Sequence, residues 1–82
     1  MKKVYAISDN LDDIIGLGLA EISAQLAETP DEVGSAIESI LNTDPNAGLI
    51  IITASLAARS EELLADFRAR NKLPLITVIP NA

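Results

Sequence analysis

The sequence predicts an α/β protein, with four parallel strands in the spatial order 2-1-3-4 and three helices in a three-layer sandwich. Apolar, β-branched runs alternate with helix-like segments along all 82 residues, joined by short connections, as in a parallel α/β sheet. Two of the runs, "KVYAIS" (3–8) and "GLIIIT" (48–53), are apolar on both faces, which marks central strands. Right-handed crossovers then place the first and third strands in the middle and the alternating second strand at an edge.

Each element has its own local reason. The first strand ends at "SDN". Asp9 or Asn10 is suited to cap the helix "NLDDIIGLGLAE", and Asp12 and Asp13 suit the positive end of its dipole. Ile14, Ile15 and Leu19 are expected on one face of that helix. Gly16 and Gly18 interrupt it, each at ~1 kcal/mol relative to alanine. The first expectation for them is close packing of the helix on the sheet; the other is a flat strip where another backbone approaches.

"ISAQLAE" (22–28) alternates apolar and polar residues, as a half-exposed edge strand does. "TPDEVGSAIESILNT" carries the strongest helix start in the chain. Thr29 is the N-cap, Pro30 occupies the first helical position and Glu32 closes a capping box. Val33, Ile37, Ile40 and Leu41 form its apolar stripe, and "DPNAG" turns the chain into the third strand. "SLAARSEELLADFRARN" is a helix with an irregular first turn expected near Arg59 and Ser60. Arg68 and Arg70 suit its negative end. "LPLITVIP" closes the sheet with a strand bracketed by Pro74 and Pro80, and residues 1–82 read as one domain.

Composition narrows the function classes. With no Cys and no His, disulfides and the common zinc sites are excluded. Six basic residues against twelve acidic ones give a net charge of −6, and the aromatics are one Phe and one Tyr. Such a chain lacks the positive field and the stacking rings that nucleic-acid binding uses. The N-terminus has no signal-peptide pattern, and no apolar run approaches the ~20 residues of a membrane span.

The last strand poses the functional question. The predicted order puts the first helix alone on one face of the sheet and the other two on the opposite face. A helix is ~10 Å across and strands lie ~4.8 Å apart, so one helix covers about two strands. On the first helix's side, the third and fourth strands are therefore expected bare. Alternation sends Leu75, Thr77 and Ile79 to one side and Ile76 and Val78 to the other; Thr77 favours the first set as the outward one. Four of the six basic residues, Arg59, Arg68, Arg70 and Lys72, lie in or next to the third helix. Arg59, Arg68 and Arg70 join Leu75, Thr77 and Ile79 as the candidate partner-binding residues.

No catalytic, cofactor-binding or metal-binding residue is assigned. Ligands in this architecture bind beyond the strand C-termini, here Ser8-Asp9-Asn10 and Thr53-Ala54-Ser55. A phospho-accepting receiver needs an aspartate at the end of the third strand, and "IITASL" has none. "SDNLDD" has no glycine to bring phosphate to the backbone, and its carboxylates repel it. Asp9, Asp12 and Asp13 are ligands suited to Mg²⁺, but charge-matching the first helix explains them as well. Ser8, Thr53 and Ser55 lack a histidine or cysteine partner that would make them nucleophiles.

Two stretches carry a family resemblance. "AISDNLDDIIGLGLAEI" and "GLIIITASLAARSEELLADFRARNKLPLITVIP" resemble the F subunits of the V-type/A-type rotary ATPases (ATP synthases). They match that family's opening strand, acidic turn and glycine-containing helix, and its closing half with an aromatic-arginine pair, Phe67-Arg68. Ser8 stands where the family usually has glycine, and Leu17 where it often has phenylalanine. Many members continue into a C-terminal helical tail; nothing here matches it, so no regulatory arm is carried over.

The resemblance implies a non-enzymatic central-stalk protein. It would bind the coiled-coil axle, the D subunit, together with other ATPase subunits, and help couple ATP synthesis or hydrolysis to ion transport. It would sit in the cytoplasm, held at the membrane only through the complex. Self-association through the fourth strand is compatible with this role. The alternative is a degenerate receiver-like module that binds a signalling protein.

Overall fold

A computed structural model of the chain describes residues 3–19 and 22–80. The strands are β1 (Val4–Ser8), β2 (Ser23–Leu26), β3 (Leu49–Thr53) and β4 (Leu75–Ile79). The helices are α1 (Leu11–Leu19), α2 (Pro30–Thr43), α3 (Ala54–Arg59) and α4 (Glu61–Arg70). The sheet is parallel throughout, in the order β2-β1-β3-β4, as the strand patterns predict.

Register sorts the side chains onto two faces. Tyr5 lies opposite Ile50 and Ile50 opposite Ile76; two residues on, Ile7 lies opposite Ile52 and Ile52 opposite Val78. Tyr5, Ile7, Ile50, Ile52 and Ile76 pack with Val33, Ile37, Ile40, Leu56 and Leu64 of the helices to form the core. The core is thus built on the face covered by α2, α3 and α4. Among the described residues, the other face has only α1, which packs on β1 and β2.

Local chemistry explains the helix ends. The Glu32 N–H donates to Thr29 Oγ1 at 3.2 Å. The reciprocal bond of the capping box lands one residue earlier than expected: Glu28 N–H donates to Glu32 Oε1 at 2.7 Å. In α1 the cap is Asn10, whose Oδ1 accepts from Asp12 N–H at 2.8 Å. The expected third helix is divided in two at Ser60, where the Ser60 N–H bonds back three residues to Ala57 O at 3.1 Å. That tight turn lets Leu56 and Leu64 both reach the core.

Two expectations for α1 need correction. Ile14 is half-buried, but Ile15 is 55% exposed, so they do not share a buried face. The α1 stripe is narrower than expected because a peripheral helix buries only what faces β1 and β2. The Leu19 side chain lies outside the described residues. Among the described residues, close packing does not explain Gly16 or Gly18, since a Cβ built at either meets nothing within 4 Å.

The outer edge of β4 is guarded. Leu75 N–H donates inward to Gly48 O at 3.0 Å, so the backbone groups of Ile76 and Val78 point away from β3. Arg68 Nη2 donates to the Ile76 carbonyl at 3.0 Å. Pro74 and Pro80, at the flanking outward positions, have no N–H to offer. Removing the guard in Arg68→Ala is expected to raise the light-scattering mass at high concentration above that of the unaltered protein, through edge-to-edge pairing. Identical concentration curves would contradict the guarding role.

Candidate functional site

The open face is formed by the parts of β1, β3 and β4 that α1 leaves uncovered. Leu75 is 59% exposed, Thr77 is exposed, and Ile79, Leu49 and Ile51 are half-buried. Val4 at the start of β1 adds 37% exposure. Leu75, Thr77 and Ile79 therefore point to this face together, while Ile76 goes to the core. A groove between α1 and the end of β4 is lined by Asp12, Asp13, Gly16, Leu17, Ile79 and Pro80. At the start of β4, a second concavity is lined by Arg68, Asn71, Lys72, Pro74, Leu75 and Ile76. Contiguous apolar surface of this kind marks an interaction site more often than a solvated one.

The three predicted arginines are not gathered on that face. Arg68 lies at its β4 margin through its bond to Ile76. Arg70 forms an exposed pair with Asp66, one turn away, at 3.3 Å. Arg59 stands at the C-terminal ends of the strands, where it pairs with Asp9. Its Nη1 also donates to the Glu28 carbonyl at 2.9 Å. One guanidinium thus ties the end of β1 to the loop entering α2.

Asp9 is the centre of this lock. Ser55 Oγ donates to its carboxylate at 2.8 Å, and Thr53 Oγ1 approaches it at 3.4 Å. The Ser55 bond chiefly, and the Arg59 charge behind it, hold the Asp9 carboxyl below its ordinary 3.8, against the opposing effect of partial burial. A carboxyl lowered in this way contributes stability above its unfolded pKa. That contribution is lost as pH falls through the folded value. In acid titrations, Asp9→Asn should therefore be less stable than the unaltered protein at pH 7 and converge with it below about pH 4. A stability difference that persists undiminished at about pH 2, below the ordinary carboxylate range, would contradict this.

The same hydrogen bonds account for the other polar residues at the strand ends. Ser8 Oγ donates to Asp13 Oδ2 at 3.2 Å and accepts from Asn10 N–H at 3.1 Å. Asp12 is exposed on the first turn of α1. Asp9, Asp12 and Asp13 are thus directed to different partners or to solvent. Among the described residues, no group of three or more acidic side chains is placed to hold a metal ion. Local pattern alone assigns Asp9 to a cap and Arg59 to a partner. Their pairing is legible only through the predicted adjacency of the first and third strands, which brings residues just after each strand to the same end of the sheet.

No helix among the described residues is long and apolar enough to cross a membrane. No curated protein matches the chain. The family model described as "ATP synthase (F/14-kDa) subunit" matches residues 4–82, from the first residue of β1 past the end of β4. Because that match covers nearly the whole chain, the chain belongs to the family of ATP synthase F subunits.

Proposed function

We propose that this protein is a non-catalytic central-stalk part of a V/A-type rotary ATPase, and that residues 1–82 act as one α/β domain. Its open sheet face seats against the coiled-coil axle, the D subunit. It turns with the axle and helps couple ATP synthesis or hydrolysis to ion transport, in the cytoplasm and peripheral to the membrane through the complex. The observation that carries this reading is the exposed Leu75 beside Thr77 and Ile79 on a face that the described helices leave uncovered.

Physical reasoning supports the role. A rotor part must be stiff and must hold a contact under torque. The parallel sheet, backed by three helices on one side and clamped at its strand ends by Asp9 and Arg59, supplies stiffness. The net charge of −6 keeps a protein with exposed apolar surface from nonspecific association. Of the candidate contacts, Leu75, Thr77 and Ile79 form the centre and Arg68 the margin. Arg59 and Arg70 are assigned to internal pairs instead.

Co-expression with the coiled-coil axle protein, followed by size exclusion, tests the reading. A stoichiometric complex at micromolar concentration is expected, and separate elution would count against it. A receiver-like signalling module would likewise elute apart from the axle. Self-association through β4 is the competing use of the face in the isolated protein, and it is read from the light-scattering mass across concentration.

A further inference from the structure

Resting on the reading of the open face as the axle contact, we propose that this face is a slot for a single α-helix. The helix lies along β3 and β4 beside α1. Its basic side chains sit at the Asp12 end and its acidic ones at the Lys72 end.

Width sets the number of helices. The uncovered part of the sheet is two strands across, ~10 Å, which is the diameter of one helix. β3 and β4 are five residues each, or ~17 Å, so about three helical turns of the partner meet the sheet. α1 forms one wall. The other side is open because β4 is the edge strand. The second helix of a two-stranded coil therefore has room beyond β4 without touching the sheet.

The wall is shaped for close approach. Gly16 faces the groove with Leu17, Ile79 and Pro80, and among the described residues a Cβ there would meet no atom of another element within 4 Å. Glycine weakens a helix relative to alanine, and no contact among the described residues requires it at this position. A partner backbone drawn close to α1 does require it.

Charge fixes the direction. Asp12 and Asp13 flank the groove at the C-terminal ends of the strands. Arg68 and Lys72 flank Leu75 at the opposite end. A helix with the matching gradient is favoured in one orientation and disfavoured in the reverse one.

The test uses the full chain and the purified coiled-coil axle protein, with affinity measured by calorimetry and melting followed separately. Gly16→Leu is expected to leave the melting temperature unchanged or higher while weakening axle affinity at least tenfold. Asp12→Lys and Lys72→Glu should each weaken it severalfold, with a smaller loss at high salt. If the unaltered protein binds and Gly16→Leu and both charge reversals bind equally well, the slot is wrong while the axle reading stands. If the unaltered protein does not bind, both fall. A drop in the melting temperature of Gly16→Leu would show that the fold itself needs the glycine, and would overturn its role as a wall for the partner. The charge reversals would then decide the orientation alone.

Discussion

An Ile52→Ala variant is expected to melt at least ~10 °C below the unaltered protein. Ile52 lies on a central strand and is fully buried. It packs among Ile7, Leu56 and the other core residues between the sheet and the helices. Truncation removes apolar contact on every side and leaves a cavity, at a cost of about 2–5 kcal/mol. A domain of 82 residues has a total stability of about 4–12 kcal/mol, so the loss is a large share of it. The neighbouring strand supplies the control. Leu75, of similar size but 59% exposed, should cost less than ~0.5 kcal/mol as alanine. Equal destabilisation by the two variants, in thermal or urea melts, would mean that the assignment of faces is wrong.

The second large effect is on binding. Leu75→Glu should leave the isolated protein as stable as before, because the side chain already stands in water. It should weaken axle affinity by at least ~30-fold, the ~2 kcal/mol expected of a central apolar anchor. A carboxylate at that position would be desolvated on docking and would meet the acidic side chains that the proposed orientation brings to the Lys72 end. Ile79→Glu should act in the same direction with some loss of stability, since Ile79 is half-buried. Titration calorimetry with the axle protein separates the cases. If Leu75→Glu binds as tightly as the unaltered protein, the axle lies elsewhere.

Much of the architecture is legible in the sequence, because each element follows from a local rule. Thr29, Pro30 and Glu32 announce a helix start, and the doubly apolar Ile50–Ile52 run can only be buried on both faces or partnered. The bare half of one face follows from counting: α1 alone on its side cannot cover four strands. Which side chains of β4 stand on that half depends on register. In the sequence, only the polarity of Thr77 favours the set of Leu75, Thr77 and Ile79.

Long-range polar pairing is harder to read. From sequence alone, Arg59 reads with Arg68, Arg70 and Lys72 as a solvated basic helix end or as a contact for an acidic partner. Its explanation is Asp9, fifty residues away in sequence and near it only because β1 and β3 are neighbours. Arg70 could be assigned from its spacing to Asp66, a helical i,i+4 pair. The glycines of α1 mislead for the opposite reason. A glycine in a helix suggests a close neighbour, and the sheet is the nearest candidate; on the reading proposed above, the neighbour of Gly16 belongs to the axle.

Methyl NMR of the isoleucines and leucines during titration with the coiled-coil axle protein tests the central claim most directly. The signals of Ile51, Leu75 and Ile79 are predicted to shift or broaden in proportion to the complex formed, while those of Ile37, Ile40 and Leu64 on the covered side stay in place. Perturbation confined to the methyls of α2 and α4, with Leu75 and Ile79 unmoved in a saturated complex, would contradict it.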